Sequence, residues 1–350
     1  MELKTILYSY KIRDFNISKD LNYISFNNGT LYVADINKCE LHKIMKNNRT
    51  YVSTFSEDNS FAVFSDHSSL FALNDNFSKK KVIRMTGKDS MFWDLKPVIN
   101  KDSFYYVLRE YENSDIPETL HKDRPQTTIT TEYIYQYTIN KKQLLFKTNN
   151  VYMCNNEIYN DILYELFVEN HCQPGKQKKL HIYVNNLKTK EENVLHYSFD
   201  KNISHVHNAV VLPQKNLLIC VCSLIKDDCS FGAVVYSLEL ETFKIVNETK
   251  LEQELTLVTD LVSLCSGKYV AFQYNTGFLV INTDNLSIEK DIYFPRIRGV
   301  RKCDNDRFCF IRAWEDYVLF TPEESPEDNI LINKIEKCFN DNGLGKYLIK

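Results

Sequence analysis

Short runs of β-branched and aromatic residues, separated by polar turn clusters, recur from one end of this 350-residue chain to the other. The pattern is clear between 51 and 85, where runs at 51–55, 61–65, 70–73 and 82–85 are joined by tight turns. Runs of this kind predict antiparallel strands that are connected as hairpins. A four-strand unit that recurs every 40–50 residues or so predicts a repeat architecture in which neighbouring sheets pack on one another.

Seven such units account for most of the chain. They span 21–44, with three recognisable strands, and then 51–85, 91–147, 151–197, 209–247, 261–293 and 297–321. The last unit also has only three strands, and we expect the run at 3–10 to supply its fourth. Pairing the two ends of the chain would close the ring and protect strand edges that otherwise invite aggregation.

The sequence therefore predicts an all-β fold: a single β-propeller of about seven four-stranded blades, closed by the N-terminal strand. Six or eight blades are alternatives. A single two-sheet sandwich is disfavoured, because the number of expected strands is larger than one sandwich normally holds.

Strand order over nearly the whole chain is similar to that of WD40-type propellers. The Trp-Asp dipeptide of that family occurs within Phe92-Trp93-Asp94-Leu95, at the position of an expected inner strand. The chain thus resembles a degenerate WD40-type β-propeller. This resemblance implies a platform that binds other molecules.

The end of the chain departs from the strand pattern. Ser325 and Pro326 suit a helix N-cap and a first helical position, and acidic residues follow them. Apolar residues then recur at helical spacing, at Leu331, Ile332, Ile335, Cys338 and Phe339. We expect a propeller over 1–324 and, within 325–350, a short amphipathic helix from about residue 327 to 340. This helix either packs on the propeller wall or docks into a groove of a partner protein.

Composition argues against nucleic acid and membranes as partners. The 43 basic and 46 acidic residues leave a formal charge of −3, so no overall field attracts phosphate. Basic clusters at 79–81 and 176–179 are interpreted as short solvated turns. No apolar run approaches the roughly 20 residues that span a bilayer. The N-terminus shows no secretory signal, and we interpret the ten cysteines as reduced thiols of a cytoplasmic or nuclear protein.

Signatures of metal, cofactor and catalytic sites are missing from the sequence. It contains no C-x-x-C pair, no glycine-rich phosphate loop and no G-x-S-x-G elbow, so we predict no metal and no cofactor. Cys220 and Cys222 lie in an apolar run, which favours core packing. His205 and His207 share one strand face, but no third metal ligand lies nearby in the sequence.

The most distinctive segment is a polar insertion from 109 to 131. Loops longer than about 15 residues are uncommon unless they are functional or disordered. Arg109, Tyr111 and Arg124 are our candidate partner-binding residues, because Arg and Tyr are enriched at interaction hot spots. A mobile, tolerated insertion is the alternative interpretation.

Trp314 is a fourth candidate contact residue, because it lies in an expected turn between two strands; its alternative role is core packing. The segment 169–179 is a weaker candidate surface. These features favour a non-catalytic scaffold or adaptor that binds another protein through a propeller. Two alternatives are a hydrolase with its site at the central channel and a subunit of a larger coat-type or pore-type assembly.

Overall fold

The computed structural model of the chain describes most of its strands and the C-terminal helix. It describes residues 3–8, 14–18, 20–27, 29–46, 52–55, 62–66, 69–73, 77, 79–84, 90–100, 103–112, 129–138, 141–148, 155–169, 179–189, 195–199, 203–226, 229–252, 261–274, 277–293, 297–301, 309–313, 316–320 and 325–345.

The described residues form strands in the following order. These strands are β1 (Leu3–Tyr8), β2 (Asp14–Ile17), β3 (Tyr23–Asn27), β4 (Thr30–Asp35), β5 (Glu40–Lys46), β6 (Val52–Phe55), β7 (Ala62–Asp66), β8 (Ser69–Leu73), β9 (Lys79–Arg84), β10 (Ser90–Asn100), β11 (Ser103–Glu112), β12 (Ile129–Thr138), β13 (Lys141–Thr148), β14 (Asn155–Tyr159), β15 (Ile162–Glu169), β16 (Lys179–Asn186), β17 (Leu195–Phe199), β18 (Ile203–Leu212), β19 (Leu217–Lys226), β20 (Cys229–Glu239), β21 (Ile245–Leu251), β22 (Leu261–Leu264), β23 (Tyr269–Tyr274), β24 (Gly277–Asn282), β25 (Ile288–Tyr293), β26 (Ile297–Arg301), β27 (Cys309–Ala313) and β28 (Asp316–Phe320). The helix α1 (Pro326–Asp341) follows them.

Within these ranges the strands form seven antiparallel sheets of four strands each. The first six sheets take four consecutive strands, from β2–β5 for the first sheet to β22–β25 for the sixth. The seventh sheet contains β26, β27 and β28, and its fourth strand is β1. The register of β1 on β28 runs from Leu3 opposite Phe320 to Tyr8 opposite Asp316. The expected pairing of the two chain ends is therefore present, over 3–8 instead of 3–10.

Strands in the middle of the fifth sheet are buried on both faces, because a neighbouring sheet packs against each face. In β19, Leu218 and Cys220 pack in a cluster shared with the fourth sheet, whereas Ile219 and Val221 pack with the sixth. A strand in this position has no reason to alternate apolar and polar residues. The continuous apolar run in this part of the chain is thus explained, and its interpretation as a buried strand is confirmed.

Each sheet has two different ends, because its strands alternate in direction. The turn end carries the turns between the first and second strands and between the third and fourth strands. The connection end carries the turns between the second and third strands, together with the links from one sheet to the next.

One backbone hydrogen bond recurs at the turn end of four sheets. An amide just after the third strand donates to a carbonyl in the turn between the first and second strands, so the two turns are tied together. The pairs are Ile36 N to Asn22 O (2.8 Å), Leu187 N to Asp161 O (2.8 Å), Leu240 N to Asn216 O (3.0 Å) and Thr283 N to Lys268 O (3.1 Å). The recurrence shows a true structural repeat, although the residue types at these positions differ.

Turns between the third and fourth strands use left-handed backbone conformations at residues other than glycine. Cys39, Phe77, Phe243 and Leu286 all have φ between 54° and 57°. Asn and Asp tolerate this conformation well, and Asn160, Asp161 and Asn216 adopt it between first and second strands. Burial explains the larger residues, since the side chains of Phe243 and Leu286 are 3% and 0% exposed and fill the core beneath the turn.

Several predicted boundaries are wrong. The first sheet has a strand that we did not predict, β2. The first described strand of the fourth sheet lies at 155–159, and the start of that predicted unit at 151–153 lies outside the described residues. The basic cluster at 79–81 is part of β9 and is not a turn. The insertion is also narrower than 109–131, because β11 and β12 pair as far as Glu112 opposite Ile129. Only 113–128 separates these strands.

Helix α1 packs on the first sheet, where the sequence placed an amphipathic helix. Its N-terminus has the expected cap: the Ser325 Oγ accepts from the Asp328 amide, and the Asp328 carboxylate accepts from the Ser325 amide. The apolar face of the helix buries Leu331, Ile335, Cys338 and Phe339 against one face of the first sheet, at Ile17, Ile24, Phe26, Ala34 and Ile36. The packing of this helix on the β-sheet structure is confirmed.

Candidate functional site

Three segments that the sequence singled out are attached at the same end of the sheets. The insertion links Glu112 of β11 to Ile129 of β12, and the segment 170–178 links β15 to β16. Trp314 belongs to the short link between Ala313 of β27 and Asp316 of β28. Each is a connection between the second and third strands of its sheet, so all three start and finish at the connection end.

The four predicted contact residues are placed to different degrees. Arg109 and Tyr111 lie in the last part of β11, where they pair with Glu132 and Thr130 of β12. They are therefore positions in a sheet and not part of the free insertion. Arg124 and Trp314 lie outside the described residues. The strand ends that flank both of them are at the connection end.

A buried serine–histidine pair lies in the fifth sheet, in the half nearer the connection end. The His207 Nε2 and the Ser223 Oγ are 2.6 Å apart, in the neighbouring strands β18 and β19. The rings of His205 and His207 have centroids 4.4 Å apart. Exposed fractions are 7% for His207 and 3% for Ser223. The two histidines are thus close, as predicted, but the partner of His207 is a hydroxyl that the sequence analysis missed.

An irregularity in the hairpin explains why this pair was missed. Counting outward from the turn, where Leu212 faces Leu217 and Asn208 faces Val221, would pair residue 207 with residue 222. The register shifts between Val206 and Asn208, so that Val206 faces Cys222 and His205 faces Ser223. Position 207 is the extra residue at this bulge, and a bulge of this kind cannot be located from the local sequence pattern.

Burial sets the protonation state of this pair. Desolvation, and second the neighbouring His205, lower the pKa of His207 to about 3, from its ordinary value of 6.5. The imidazole is therefore neutral at physiological pH. A general base works best with a pKa near the working pH, so His207 is a poor acceptor for the Ser223 proton. The contact between His207 and Ser223 is therefore a structural hydrogen bond and not the activated nucleophile and general base of a hydrolase.

The depressed pKa of His207 should make stability depend on pH. Between about pH 6.5 and pH 3 the unfolded chain binds a proton at this residue and the folded chain does not, so acid favours unfolding. The free energy of unfolding should fall by about 1.4 kcal/mol per pH unit in this window, or about 2 kcal/mol between pH 7.5 and pH 5. Urea denaturation of the wild type at several pH values measures this loss.

The variant His207→Gln is the matched control, because glutamine keeps a hydrogen-bonding group near Ser223 but does not titrate. Its free energy of unfolding should be lower than that of the wild type at pH 7.5, and the difference should shrink as the pH falls. Parallel curves for the two proteins from pH 7.5 to pH 5 would contradict the assigned pKa.

Neither a metal cluster nor a membrane-spanning helix occurs among the described residues. Among the described residues, no group of three His, Cys, Asp or Glu side chains is arranged to hold a metal ion. In the same part of the chain, α1 is the one α-helix, and no helix has the length and apolar character needed to cross a bilayer.

Comparison with known proteins identifies the fold. No family model matches the chain, and no curated protein matches its sequence. Solved structures do match it over most of its length. An oligogalacturonate lyase in complex with manganese shares 11% identity at a TM-score of 0.62, over 91% of this chain and 90% of that one.

Two other similar structures come from proteins of different kinds. A chain of the mitotic checkpoint complex shares 13% identity at a TM-score of 0.59, over 93% of this chain and 91% of that one. Hsv2 of Kluyveromyces marxianus shares 9% identity at a TM-score of 0.54, over 89% of this chain and 97% of that one. Identities this low show a common fold and no more. The chain therefore has the fold of the β-propeller proteins.

Proposed function

We propose that this protein is a non-catalytic scaffold or adaptor, built on a closed propeller of seven blades, and that it binds another protein at its connection end. The seven described sheets correspond to the blades, and the pairing of β1 with β28 supports closure of the ring. Propeller structures similar to this one occur both in an assembly, the mitotic checkpoint complex, and in a lyase. The fold alone therefore does not decide between binding and catalysis.

The observation that carries the proposal is the shared end of two long connections and the Trp314 turn. The insertion at 113–128, the segment 170–178 and the turn at 314–315 all connect second and third strands. At the opposite end, the two turns of four sheets are tied to each other by the recurring backbone hydrogen bond. Loops that vary on a rigid scaffold are the usual place for binding residues. We assign Arg109, Tyr111, Arg124 and Trp314 to this surface.

A second candidate function is hydrolysis at the central channel, and one observation favours it. The 2.6 Å contact between the His207 Nε2 and the Ser223 Oγ has the length of a nucleophile–base hydrogen bond. The low pKa of His207 and the burial of both residues speak against it. A third candidate, a coat-type or pore-type subunit that uses the terminal helix, would have to rely on the exposed face of α1, because its apolar face is covered.

We also propose that the protein is intracellular. Cys39, Cys220, Cys222, Cys265 and Cys338 are free thiols, and three of them, Cys220, Cys222 and Cys338, are buried. Free thiols fit the reducing cytoplasm or nucleus. We therefore propose that the partner is a protein of one of these compartments.

The proposal is tested by replacing 113–128 with Asn-Gly. Glu112 and Ile129 face each other in the ladder, so a two-residue turn can join them without disturbing the flanking strands. The variant should unfold at the wild-type temperature. In affinity purification from native extract, quantified by mass spectrometry, it should capture at least about tenfold less of the specific partner, as expected when hot-spot contacts are removed.

The matched control changes exposed charges at the turn end, in the double variant Glu241→Ala, Lys244→Ala. This variant should capture the partner as well as the wild type does. Arg124→Ala then tests whether one residue of the insertion accounts for the loss, and Arg109→Ala, Tyr111→Ala and Trp314→Ala test the rest of the proposed surface. Equal capture by the Asn-Gly variant, or loss in the turn-end control, would show that the binding surface lies elsewhere. If Ser223→Ala instead abolished turnover of an ester or peptide substrate, the hydrolase would be the better interpretation.

A further inference from the structure

Two cysteines that are far apart in the sequence meet where α1 rests on the first sheet. Cys39 lies in the turn between β4 and β5, and Cys338 lies in the last turns of α1. The Asn342 side-chain amide donates to the Cys39 carbonyl oxygen (3.1 Å) and lies 3.8 Å from the Cys338 Sγ. The Cys338 Sγ is also 3.9 Å from the carbonyl oxygen of Asp35, which begins the same turn. Both thiols therefore belong to one small junction.

The two thiols differ in their environments. Cys39 is partly exposed, and its Sγ lies 3.5 Å from the Asp341 carboxylate at the end of α1. Cys338 is 1% exposed, within the cluster that joins the helix to the sheet. Burial, and then the adjacent Cys39 side chain, raise the pKa of the Cys338 thiol to about 12. One thiol is thus open to a dissolved oxidant, and the other is protected but next to it.

We propose that Cys39 and Cys338 form a disulfide when the protein is exposed to a peroxide, and that this bond fastens α1 to the first sheet. The Cys39 thiolate attacks one peroxide oxygen, the O–O bond breaks, and hydroxide leaves, so that Cys39 becomes a sulfenic acid. The Cys338 sulfur then displaces the sulfenic hydroxyl group, which takes up the Cys338 proton and departs as water. Two thiols and one hydrogen peroxide give one disulfide and two waters.

The proposed disulfide would stabilise the whole folded chain, because of where it lies. It would join the third–fourth turn of the first sheet to the last element of the protein, so the unfolded chain would contain a very long covalent loop. Closing a long loop restricts the unfolded state and stabilises the folded one. The oxidised protein would hold α1 in place, whereas in the reduced protein only the apolar contacts and hydrogen bonds of the junction hold it.

Cys220 and Cys222 provide an internal comparison. Their Sγ atoms are 4.0 Å apart, but both residues are 0% exposed in the core between the fourth and fifth sheets. A dissolved oxidant has no access to them, so proximity without exposure should leave them reduced. The proposed pair differs in having one exposed member.

The test is peptide mapping of the folded full chain after treatment with hydrogen peroxide. Free thiols are blocked by alkylation before denaturation and digestion with trypsin. Cleavage after Lys38, Lys43, Lys337 and Lys346 yields the peptides 39–43 and 338–346. We expect these peptides as one disulfide-linked species that separates on reduction. The thermal midpoint of the oxidised protein should rise by about 5 °C or more and return on reduction.

Two single substitutions test whether Cys39 is the cysteine that forms the disulfide. Cys39→Ser should abolish the linked species and the rise in thermal midpoint, whereas Cys265→Ser, which alters another partly buried thiol, should keep both. Both variants are first shown to unfold cooperatively in the reduced state. Recovery of Cys39 as an alkylated thiol or as a sulfinic acid in the wild type, with Cys338 unlinked, would overturn the proposal. Formation of the linked species only in urea would overturn it as well.

Discussion

Ending the chain at Glu324, which removes α1, should abolish cooperative unfolding. The helix buries four apolar side chains, Leu331, Ile335, Cys338 and Phe339, and Leu344 just after it is buried as well; together they cover five more on the first sheet. Burial of a large apolar side chain contributes about 1.5–3 kcal/mol. The loss is therefore comparable to the whole stability of a typical domain, about 5–15 kcal/mol. Circular dichroism during heating measures it, and we expect a broad, weak transition or aggregation.

Two point variants on the same helix separate packing from helix formation. Phe339 is 0% exposed and its ring centroid lies 5.2 Å from that of Phe26, so Phe339→Ala should cost about 3–5 kcal/mol. Ile330 lies on the outer face and is 55% exposed, so Ile330→Ala should change stability by less than about 0.5 kcal/mol. Urea denaturation measures both variants. Equal effects of the two substitutions would contradict the docking of α1 on the first sheet.

Deleting residues 1–8 should have the second large effect, because it removes β1 from the seventh sheet. The strand forms a ladder with β28 from Leu3 to Tyr8. At a net contribution of about 1 kcal/mol for each backbone hydrogen bond, roughly 5 kcal/mol should be lost. The deletion also leaves β28 as an open edge, which favours aggregation. Thermal unfolding and light scattering measure these two consequences.

The control for this deletion removes only residues 1 and 2, which precede the strand, and it should unfold like the wild type. Adding a synthetic peptide of residues 1–10 to the longer deletion should raise its thermal midpoint as the peptide concentration increases, because the peptide binds only the folded form. A wild-type thermal midpoint without the peptide would show that the pairing of β1 with β28 does not stabilise the fold.

Most of the strands could be predicted from the sequence, because local patterns carry them. The apolar run at Leu217–Leu224 marks a strand that is covered on both faces, and it is found in β19. Helix α1 was equally clear, since Ser325, Pro326 and Asp328 form its cap and its apolar residues recur at helical spacing. These features depend on residues that are close together in the sequence.

The errors occur where a neighbour decides the structure. Strand β2 has only four residues, Asp-Phe-Asn-Ile, and its polar half gives it a weak strand pattern. Ile17 is nevertheless 0% exposed, because α1 and the rest of the first sheet cover it. The lysines at 79–81 resemble a solvated turn, yet the ladder with β8 makes them part of a strand. Pairing overrides local preference at both places.

The candidate sites also combine features that the local sequence predicts with contacts that only the fold creates. Sequence patterns identified an unusual insertion and a tryptophan in an expected turn as candidates, but they could not tell that both are attached at one end. That follows from the alternating strand direction in seven sheets. The contact between His207 and Ser223 depends on the register of β18 and β19, and the meeting of Cys39 with Cys338 depends on where α1 docks.

The sequence by itself determined the β-strand repeats, the terminal helix and the lack of a recognisable catalytic motif, because each is written in neighbouring residues. The tertiary structure decided which residues meet. It pairs β1 with β28, lays α1 on the first sheet and gathers the long connections at one end. These contacts join residues that are distant in the sequence. They are set by strand direction, register and the burial of apolar faces, which arise only when the whole chain is packed.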